Sequence, residues 1–150
     1  MKIVGWDPGK SGALYLIKDG LPVDFIDMPL SAGGKLFNPQ EAAKQLWIWN
    51  PDAVVVEKVN AGPRMGSSAA YNFGGNSYGP LCLCAGMEIP CHTITPQKWK
   101  SYHGLLKKDK DDSRLLALKL FPQLNDVLKR KKDVDRAEAV LMALAWEALR

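Results

Sequence analysis

Two short apolar segments that each run into an acidic residue place the strongest constraint on this chain. Lys2–Trp6 leads directly into Asp7, and the run Ala53–Val56, which contains three consecutive valines, ends at Glu57. Consecutive β-branched residues favour a central strand that is buried on both faces of a sheet. If these two strands are parallel neighbours, both carboxylates emerge at the same end of the sheet.

The patterns along the rest of the chain predict an α/β fold. Ala13–Ile17 and Val23–Met28 extend the first strand into a three-stranded meander, and Cys91–Ile94 is predicted to be an edge strand. The first predicted helix begins at Pro39 with Asn38 as cap and is stopped by Asn50 and Pro51, and its apolar positions at helical spacing are Ala42, Ala43, Leu46 and Trp47. Further helices are predicted in parts of Ser67–Met87 with an interruption at Gly74 and Gly75, over Pro96 to Tyr102 with Thr95 as cap, in a segment capped by Asp111 or Asp112 that ends at Phe121, and over Val134–Leu149. The sequence therefore predicts a mixed five-stranded sheet flanked by helices on both faces. At 150 residues we expect one domain, residues 1–150.

Positive charge is concentrated in the C-terminal half. The segment from Lys98 to Arg136 holds twelve of the 20 basic residues but only six of the 16 acidic ones. A local excess of this size favours a polyanionic partner such as nucleic acid, although a solvated helical surface is the plain alternative.

Several classes of protein fit the sequence poorly. No apolar run reaches the roughly 18 residues of a membrane span, and the N-terminus lacks the apolar region of a signal peptide, so we expect a cytoplasmic protein. Cys82, Cys84 and Cys91 do not match zinc spacing, and we expect buried free thiols. The stretch from Gly5 to Ser11 has too few residues between its glycines for a phosphate-binding loop.

Acidic residues at element ends are the most informative chemical feature. Besides Asp7 and Glu57, the final helix begins with Asp135 and Glu138, which are three residues apart and share one helical face. Carboxylates brought this close repel one another unless a hard divalent cation neutralises them. Magnesium or manganese suits an all-oxygen site. Each acid also has an ordinary interpretation, as a turn residue, as a surface ion pair of Glu57 with Lys58, or as a complement to a helix N-terminus.

Four motifs in order resemble the RuvC family of Holliday-junction resolvases, and are most similar to its compact phage-type members. The first two motifs are Ile3–Gly9 and Val54–Val59, and they are followed by Pro96–Lys100 and Asp135–Ala139. The resemblance implies a ribonuclease H-like fold, a homodimer, and metal-dependent nicking of four-way DNA junctions. It implies Mg²⁺ or Mn²⁺ as cofactor, with two ions in each active site.

The resemblance also assigns roles to individual residues. Asp7, Glu57, Asp135 and Glu138 match the family's metal-binding acids, with Glu138 in place of the usual aspartate and Asp133 as a competing ligand. Lys100 and Lys110 resemble basic residues near the scissile phosphate, and we expect Lys110 to be catalytic. Asn60 replaces the family's stacking aromatic, for which Tyr71 and Phe73 are the candidates. The remaining residues expected to bind DNA are Lys98, Lys107, Lys108, Lys129, Arg130, Lys131 and Lys132.

The expected activity is structure-selective cleavage of four-way, and other branched, DNA by paired symmetric nicks, in the cytoplasm of a bacterial host if a phage encodes the protein. A four-way junction has two strands to cut, whereas each chain has one active site. This favours a two-fold dimer, with Ser67–Met87 as the expected interface. Two alternatives remain open: another nuclease of this fold that acts on RNA or RNA/DNA hybrids, and a non-catalytic junction-binding protein. A sugar-kinase or actin-type ATPase fits poorly, because 150 residues leave no second domain to close over ATP.

Overall fold

The computed structural model of the protein describes residues 1–150 and contains one five-stranded sheet. The strands are β1 (Lys2–Trp6), β2 (Ala13–Lys18), β3 (Leu21–Asp27), β4 (Ala53–Glu57) and β5 (Cys91–Ile94), in the spatial order β3-β2-β1-β4-β5. β1, β2 and β3 form an antiparallel meander, whereas β4 pairs in parallel with both β1 and β5. The predicted mixed sheet, with Cys91–Ile94 at one edge, is therefore confirmed, and the fold is ribonuclease H-like.

Five α-helices cover both faces of the sheet, as predicted. They are α1 (Pro39–Trp49), α2 (Ser67–Gly86), α3 (Pro96–Tyr102), α4 (Lys110–Leu120) and α5 (Val134–Leu149), with 3-10 turns at Pro122–Leu124 and Lys131–Asp133. α1 and α2 pack on one face, and α3, α4 and α5 pack on the other. None of these helices combines the length and the apolar character needed to cross a membrane.

Alternation along the strands divides the core into these two layers. On β1, Ile3 faces the layer of α3, α4 and α5, while Val4 and Trp6 face α1 and α2. On β4, Val55 faces the layer of α3, α4 and α5, and Val54 and Val56 face α1 and α2. All of these side chains are buried, which confirms that the valine strand is covered on both faces.

A glycine on β1 brings α5 unusually close to the sheet. A Cβ atom on Gly5 would lie 2.0 Å from the carbonyl oxygen of Ala139 and 3.2 Å from the Cβ of Ala143. Only glycine fits at this point, because any side chain would have to push the backbone of α5 away. The first turns of α5 are thereby held next to the end of β1.

Three details of the helices differ from the sequence predictions. Helical spacing predicts that Trp47 faces the core from α1, but this side chain is 81% exposed, because α1 turns Ala42, Leu46 and Trp49 inward instead. α2 continues without interruption through Gly74 and Gly75, since glycine raises the cost of a helix without preventing one.

The start of α4 also differs. Neither Asp111 nor Asp112 caps it: the cap is Asp109, and Asp112 lies inside the first turn, where its carboxylate accepts a hydrogen bond of 3.0 Å from the Asp109 amide. This reciprocal arrangement is a capping box, which moves the start of the helix towards the N-terminus.

The three cysteines do not share one environment. Cys84 is buried, Cys91 is half-buried, and Cys82 is exposed on the outer side of α2. The expectation that all three thiols are buried is therefore wrong for Cys82. The reason is that residues two apart on a helix lie on different faces, so only one of Cys82 and Cys84 can face the sheet.

Candidate metal and nucleic-acid site

Four acidic residues meet at one end of the sheet. β1 and β4 are parallel, and Trp6 pairs with Val56. Asp7 and Glu57, the next residue of each strand segment, therefore lie at the same end of the sheet. Asp135 and Glu138 reach this edge from the first turns of α5. One carboxylate oxygen from each of Asp7, Asp135 and Glu138 lies within 4.8 Å of the other two. Glu57 is not part of this three-acid cluster but lines the same cavity.

The turn between β1 and β2 fixes the position of Asp7. Its Oδ1 accepts a hydrogen bond of 3.0 Å from the Gly9 amide, and its own amide donates to the carbonyl of Ala13. Gly12 closes the turn, where a Cβ would lie only 2.1 Å from the carbonyl oxygen of Asp7. The sequence Asp-Pro-Gly therefore does form a turn, and the same turn directs the carboxylate towards α5.

Burial changes the pKa values of Asp7 and Glu138. Loss of hydration, opposed by the Gly9 amide and reinforced by the charges of Asp135, Glu57 and Glu138, raises the pKa of Asp7 to about 7. Burial also raises the pKa of Glu138, despite the nearby cations of Lys100 and Lys110 and a hydrogen bond from Ser113. A cluster of this kind holds excess negative charge near neutral pH, which a divalent cation would neutralise.

The donor set fits a hard divalent cation. All the candidate ligands are carboxylate oxygens, which is the chemistry that Mg²⁺ and Mn²⁺ prefer. Asp135 Oδ1 is buried and makes no hydrogen bond of regular geometry. The charged Lys110 Nζ lies 2.6 Å from this oxygen, and a metal ion at the cluster would be a second positive partner for it.

Two lysines predicted from the sequence lie against the acids. Lys110, the first residue of α4, places Nζ 2.6 Å from Asp135 Oδ1. Burial opposes the charge of Lys110, but its contact with Asp135 prevails and raises the lysine pKa. Lys100 Nζ lies 3.8 Å from Glu138 Oε1. The site therefore combines buried carboxylates with two cations at its rim.

Asp133, the competing ligand, is engaged elsewhere. Its carboxylate accepts hydrogen bonds from the backbone amide and the guanidinium of Arg130, and Arg136 lies 3.5 Å away. The hydrogen bonds from Arg130 lower the pKa of Asp133 despite its burial. Asp133 thus fixes the segment before α5, whereas Asp135 and Glu138 face the cluster.

A cavity of about 950 Å³ opens from the acids towards the start of α2. Its wall includes Phe73 and the polar side chains of Ser67, Asn72 and Ser77. Tyr71, the other stacking candidate, does not line the cavity and is 74% exposed on the outside of α2. The structure therefore places only Phe73 where it could meet a nucleotide that enters the site.

The other predicted DNA-binding residues are exposed and do not line this cavity. Lys98 is on α3, and Lys107 and Lys108 are in the loop before α4. The basic cluster, Lys129 to Lys132, comes just before α5 and is exposed, but Arg130 is paired with Asp133. A smaller cleft of about 300 Å³ joins part of this cluster to Asp135; its basic lining residues are Lys10, Arg130, Lys132 and Arg136.

Sequence reasoning missed four residues at the site. Lys10 and Lys35 line the large cavity. Trp99 Nε1 donates a hydrogen bond of 2.8 Å to Glu57 Oε1, and Ser113 Oγ donates one of 3.1 Å to Glu138 Oε1. The position of Lys10 directly after the Asp-Pro-Gly turn was a usable signal. The bonds of Trp99 and Ser113 join residues 42 and 25 positions apart, and no local pattern indicates them.

No family model matches the sequence. A curated relative, the chloroplastic Holliday junction resolvase MOC1 of Chlamydomonas reinhardtii, is 38% identical over 85 residues, which are 56% of this chain and 10% of the relative. The chain therefore spans about a tenth of the length of the curated relative that it matches.

Two solved structures share the fold over almost the whole chain. Thermus thermophilus RuvC in complex with a Holliday junction substrate has a TM-score of 0.64 at 18% identity, covering 97% of this chain and 92% of that one. The fowlpox virus resolvase in complex with Holliday junction DNA has a TM-score of 0.59 at 19% identity, covering 99% of both chains. The resemblance seen in the sequence motifs thus extends to the fold.

Proposed function

We propose that residues 1–150 form a single nuclease domain that resolves four-way DNA junctions in a divalent-metal-dependent reaction. The convergence of Asp7, Asp135 and Glu138 within 4.8 Å carries the proposal, because such a cluster is suited to a metal ion that acts on a phosphodiester. The similarity in sequence and fold to junction resolvases supports DNA junctions as the substrate.

In this proposal the four acids hold the metal, and the lysines act on the substrate. Bound Mg²⁺ or Mn²⁺, with two ions per site, would activate a water molecule and stabilise the attacking and leaving oxygens. Lys110 and Lys100 place positive charge where the phosphate gains negative charge in the transition state. The exposed lysines of α3, of the loop before α4 and of the basic cluster bind backbone phosphates without reading the base sequence.

The proposed assembly is a homodimer that nicks two strands at symmetric positions. One chain has one acidic cluster, whereas resolution of a junction needs two cuts, so a two-fold pair of sites matches the substrate. The outer side of α2 is the proposed interface, since Tyr71 and Tyr78 are exposed there beside the small residues Gly74 and Ala70. Light scattering should give the mass of a dimer, and a monomer mass with the junction bound would contradict this assembly.

A cleavage assay tests the function directly. A synthetic four-way junction, a linear duplex and an RNA/DNA hybrid are each incubated with the protein, with and without Mg²⁺. We expect cutting of the junction only, dependent on Mg²⁺, with paired nicks that leave ligatable duplexes.

The other outcomes identify the alternatives. Preferential cutting of the hybrid would favour an RNA-directed nuclease, which depends on 2′-hydroxyl contacts. Tight junction binding without cutting in Mg²⁺ or Mn²⁺ would favour a non-catalytic junction-binding protein.

We propose the cytoplasm of a bacterial host as the place of action, with a phage as the source of the gene.

A further inference from the structure

We propose that Trp99 is a positioning residue that holds the Glu57 carboxylate in place for the metal ion. The inference rests on the proposed metal-dependent function, and it adds a residue that the sequence motifs did not assign to the site. It starts from the hydrogen bond of 2.8 Å between the indole N–H of Trp99 and Glu57 Oε1.

Trp99 is a rigid donor. It lies on the inner side of α3, is fully buried with 0% of its surface exposed, and belongs to the core between the sheet and α5. Thr95 and Pro96 fix the start of α3, since the Thr95 side chain accepts a hydrogen bond from the Lys98 amide and Pro96 is the first helical residue. The indole therefore cannot turn away without disturbing the core, and its N–H points at one oxygen of Glu57.

Glu57 needs such a partner more than the other acids do. The three acids of the cluster lie within 4.8 Å of one another and have partners of their own in Gly9, Lys110 and Ser113. Glu57 stands outside this cluster and ends a strand. Loss of side-chain freedom on metal binding costs affinity, and a hydrogen bond made beforehand reduces that cost. The bond to Trp99 occupies Oε1 and leaves the second oxygen of Glu57 available to a metal ion.

The ring of Trp99 also connects Glu57 with the lysine side of the site. Lys100 Nζ lies 5.1 Å from the centre of the Trp99 ring and 3.8 Å from Glu138 Oε1. A Trp99→Phe substitution keeps an aromatic face for Lys100 but removes the N–H that Glu57 accepts. The variant therefore separates the positioning of Glu57 from the packing of α3.

The chain contains a matched control for this variant. Trp49, on α1 in the opposite layer, is 6% exposed and donates its indole N–H to Asp24 Oδ2 at 2.9 Å. Asp24 lies on β3 and does not line the cavity. Trp49→Phe thus removes the same kind of hydrogen bond, from a similarly buried ring, away from the acids.

The first measurement is Mn²⁺ binding to the DNA-free protein by titration calorimetry. Trp99→Phe should weaken Mn²⁺ binding by about 10-fold or more, as is usual when a partner of a metal ligand is removed. Trp49→Phe should bind Mn²⁺ like the unaltered protein. In cleavage assays Trp99→Phe should need correspondingly more Mg²⁺ for half-maximal activity, while its junction affinity without metal stays unchanged.

Equal Mn²⁺ affinity in Trp99→Phe and Trp49→Phe would overturn the proposal. If Trp99→Phe does not fold, the unaltered protein decides the matter, with its five tryptophans labelled with nitrogen-15. The Trp99 indole resonance, assigned by eliminating the other four in Trp→Phe variants, should shift as Mg²⁺ is added, and an unmoved Trp99 resonance would overturn the proposal.

Failure of the proposed function has a different signature. The unaltered protein could bind Mn²⁺ in a way that depends on Trp99 and yet cut no junctions. This result would exclude the proposed nuclease function but support the positioning role of Trp99.

Discussion

Helices α2 and α5 are the two longest in the protein and lie on opposite faces of one sheet, yet they are built in opposite ways. α5 buries ten of its 16 residues, whereas α2 buries three of its 20. α5 approaches β1 so closely that Gly5 tolerates no Cβ, while a Cβ on Gly74 of α2 would have no atom within 4 Å. The tightly packed helix carries two of the metal-site acids, and the loosely packed one forms a wall of the cavity.

The contrast indicates a division of tasks. Asp135 and Glu138 gain rigidity from close packing, which a metal site requires because its ligands must stay within a few tenths of an ångström. α2 instead presents exposed aromatic rings and polar side chains, which suits a surface that receives a large substrate or a second subunit. Substitutions near α5 should therefore act more strongly on chemistry and folding than matched substitutions on the exposed sides of α1 and α2.

The largest expected effect concerns cleavage. Asp7→Asn removes one member of the three-acid cluster, and junction cutting in Mg²⁺ should fall on the order of 1,000-fold. Junction binding should persist or become tighter, because the variant removes negative charge near DNA. Glu41→Gln, on the exposed side of α1, is the control and should cut normally. Substantial Mg²⁺-dependent cutting by Asp7→Asn would exclude Asp7 from catalysis.

The next effect concerns stability and tests the packing contrast itself. Gly5→Ala forces a methyl group against the Ala139 carbonyl and should lower the free energy of unfolding by about 3 kcal/mol or more. In the single chain Gly74→Ala places the same methyl group in open space within a helix. Measured at protein concentrations below those at which the proposed dimer forms, the substitution should raise that free energy by about 0.5–1 kcal/mol. Urea denaturation measures both variants. Equal effects would show that Gly74 does not lie in open space in solution.

The same contrast explains how much of the structure the sequence could predict. β1, β4 and β5 and the helices that begin at Pro39, Pro96 and Val134 follow from local patterns of β-branched runs and caps. Trp47 could not be placed, because Trp47 lies at helical spacing from Ala43 just as Trp49 does from Leu46, and only packing on the sheet selects Trp49.

At the site, the proximity of the four acids was predictable, because they lie at the ends of two parallel strands and at the start of α5, which meet at one end of the sheet. Which of them lie closest was not predictable, since the three-acid cluster depends on the approach of α5 at Gly5. The pairing of Asp133 with Arg130 and the bond from Trp99 to Glu57 also depend on side-chain packing between distant segments.

A smaller effect is the pH dependence of the metal-free protein. The pKa of Asp7 is raised from 3.8 to about 7 on folding, so between these values the folded state binds more protons than the unfolded state. The free energy of unfolding should therefore decrease as pH rises from 5 to 8. We expect a total decrease of about 2 kcal/mol, because partial hydration of the carboxyl keeps the slope below the ~1.4 kcal/mol per pH unit of a fully dry site. Denaturation in EDTA at several pH values measures the decrease.

The control for this measurement is Asp7→Asn in the same buffers. Burial lowers the pKa of His103, which contributes stability of the opposite sign, gained as pH rises through this range. Subtracting the Asp7→Asn profile removes the contribution of His103 and isolates that of Asp7. Identical slopes in the two proteins would show that the Asp7 carboxyl is hydrated like a surface group.

The smallest effect concerns the basic cluster. Arg130 should be left intact, because it neutralises the buried Asp133 and its removal would disturb the start of α5. Replacing Lys129, Lys131 and Lys132 with alanine should weaken junction binding and reduce the slope of log affinity against log salt by up to ~0.9 for each phosphate that the variant no longer neutralises. Lys44→Ala, on the exposed side of α1, is the control and should leave the slope unchanged. If the triple variant keeps the native slope while Lys44→Ala reduces it, DNA follows the α1 and α2 layer instead, and the division of tasks between the two faces is wrong.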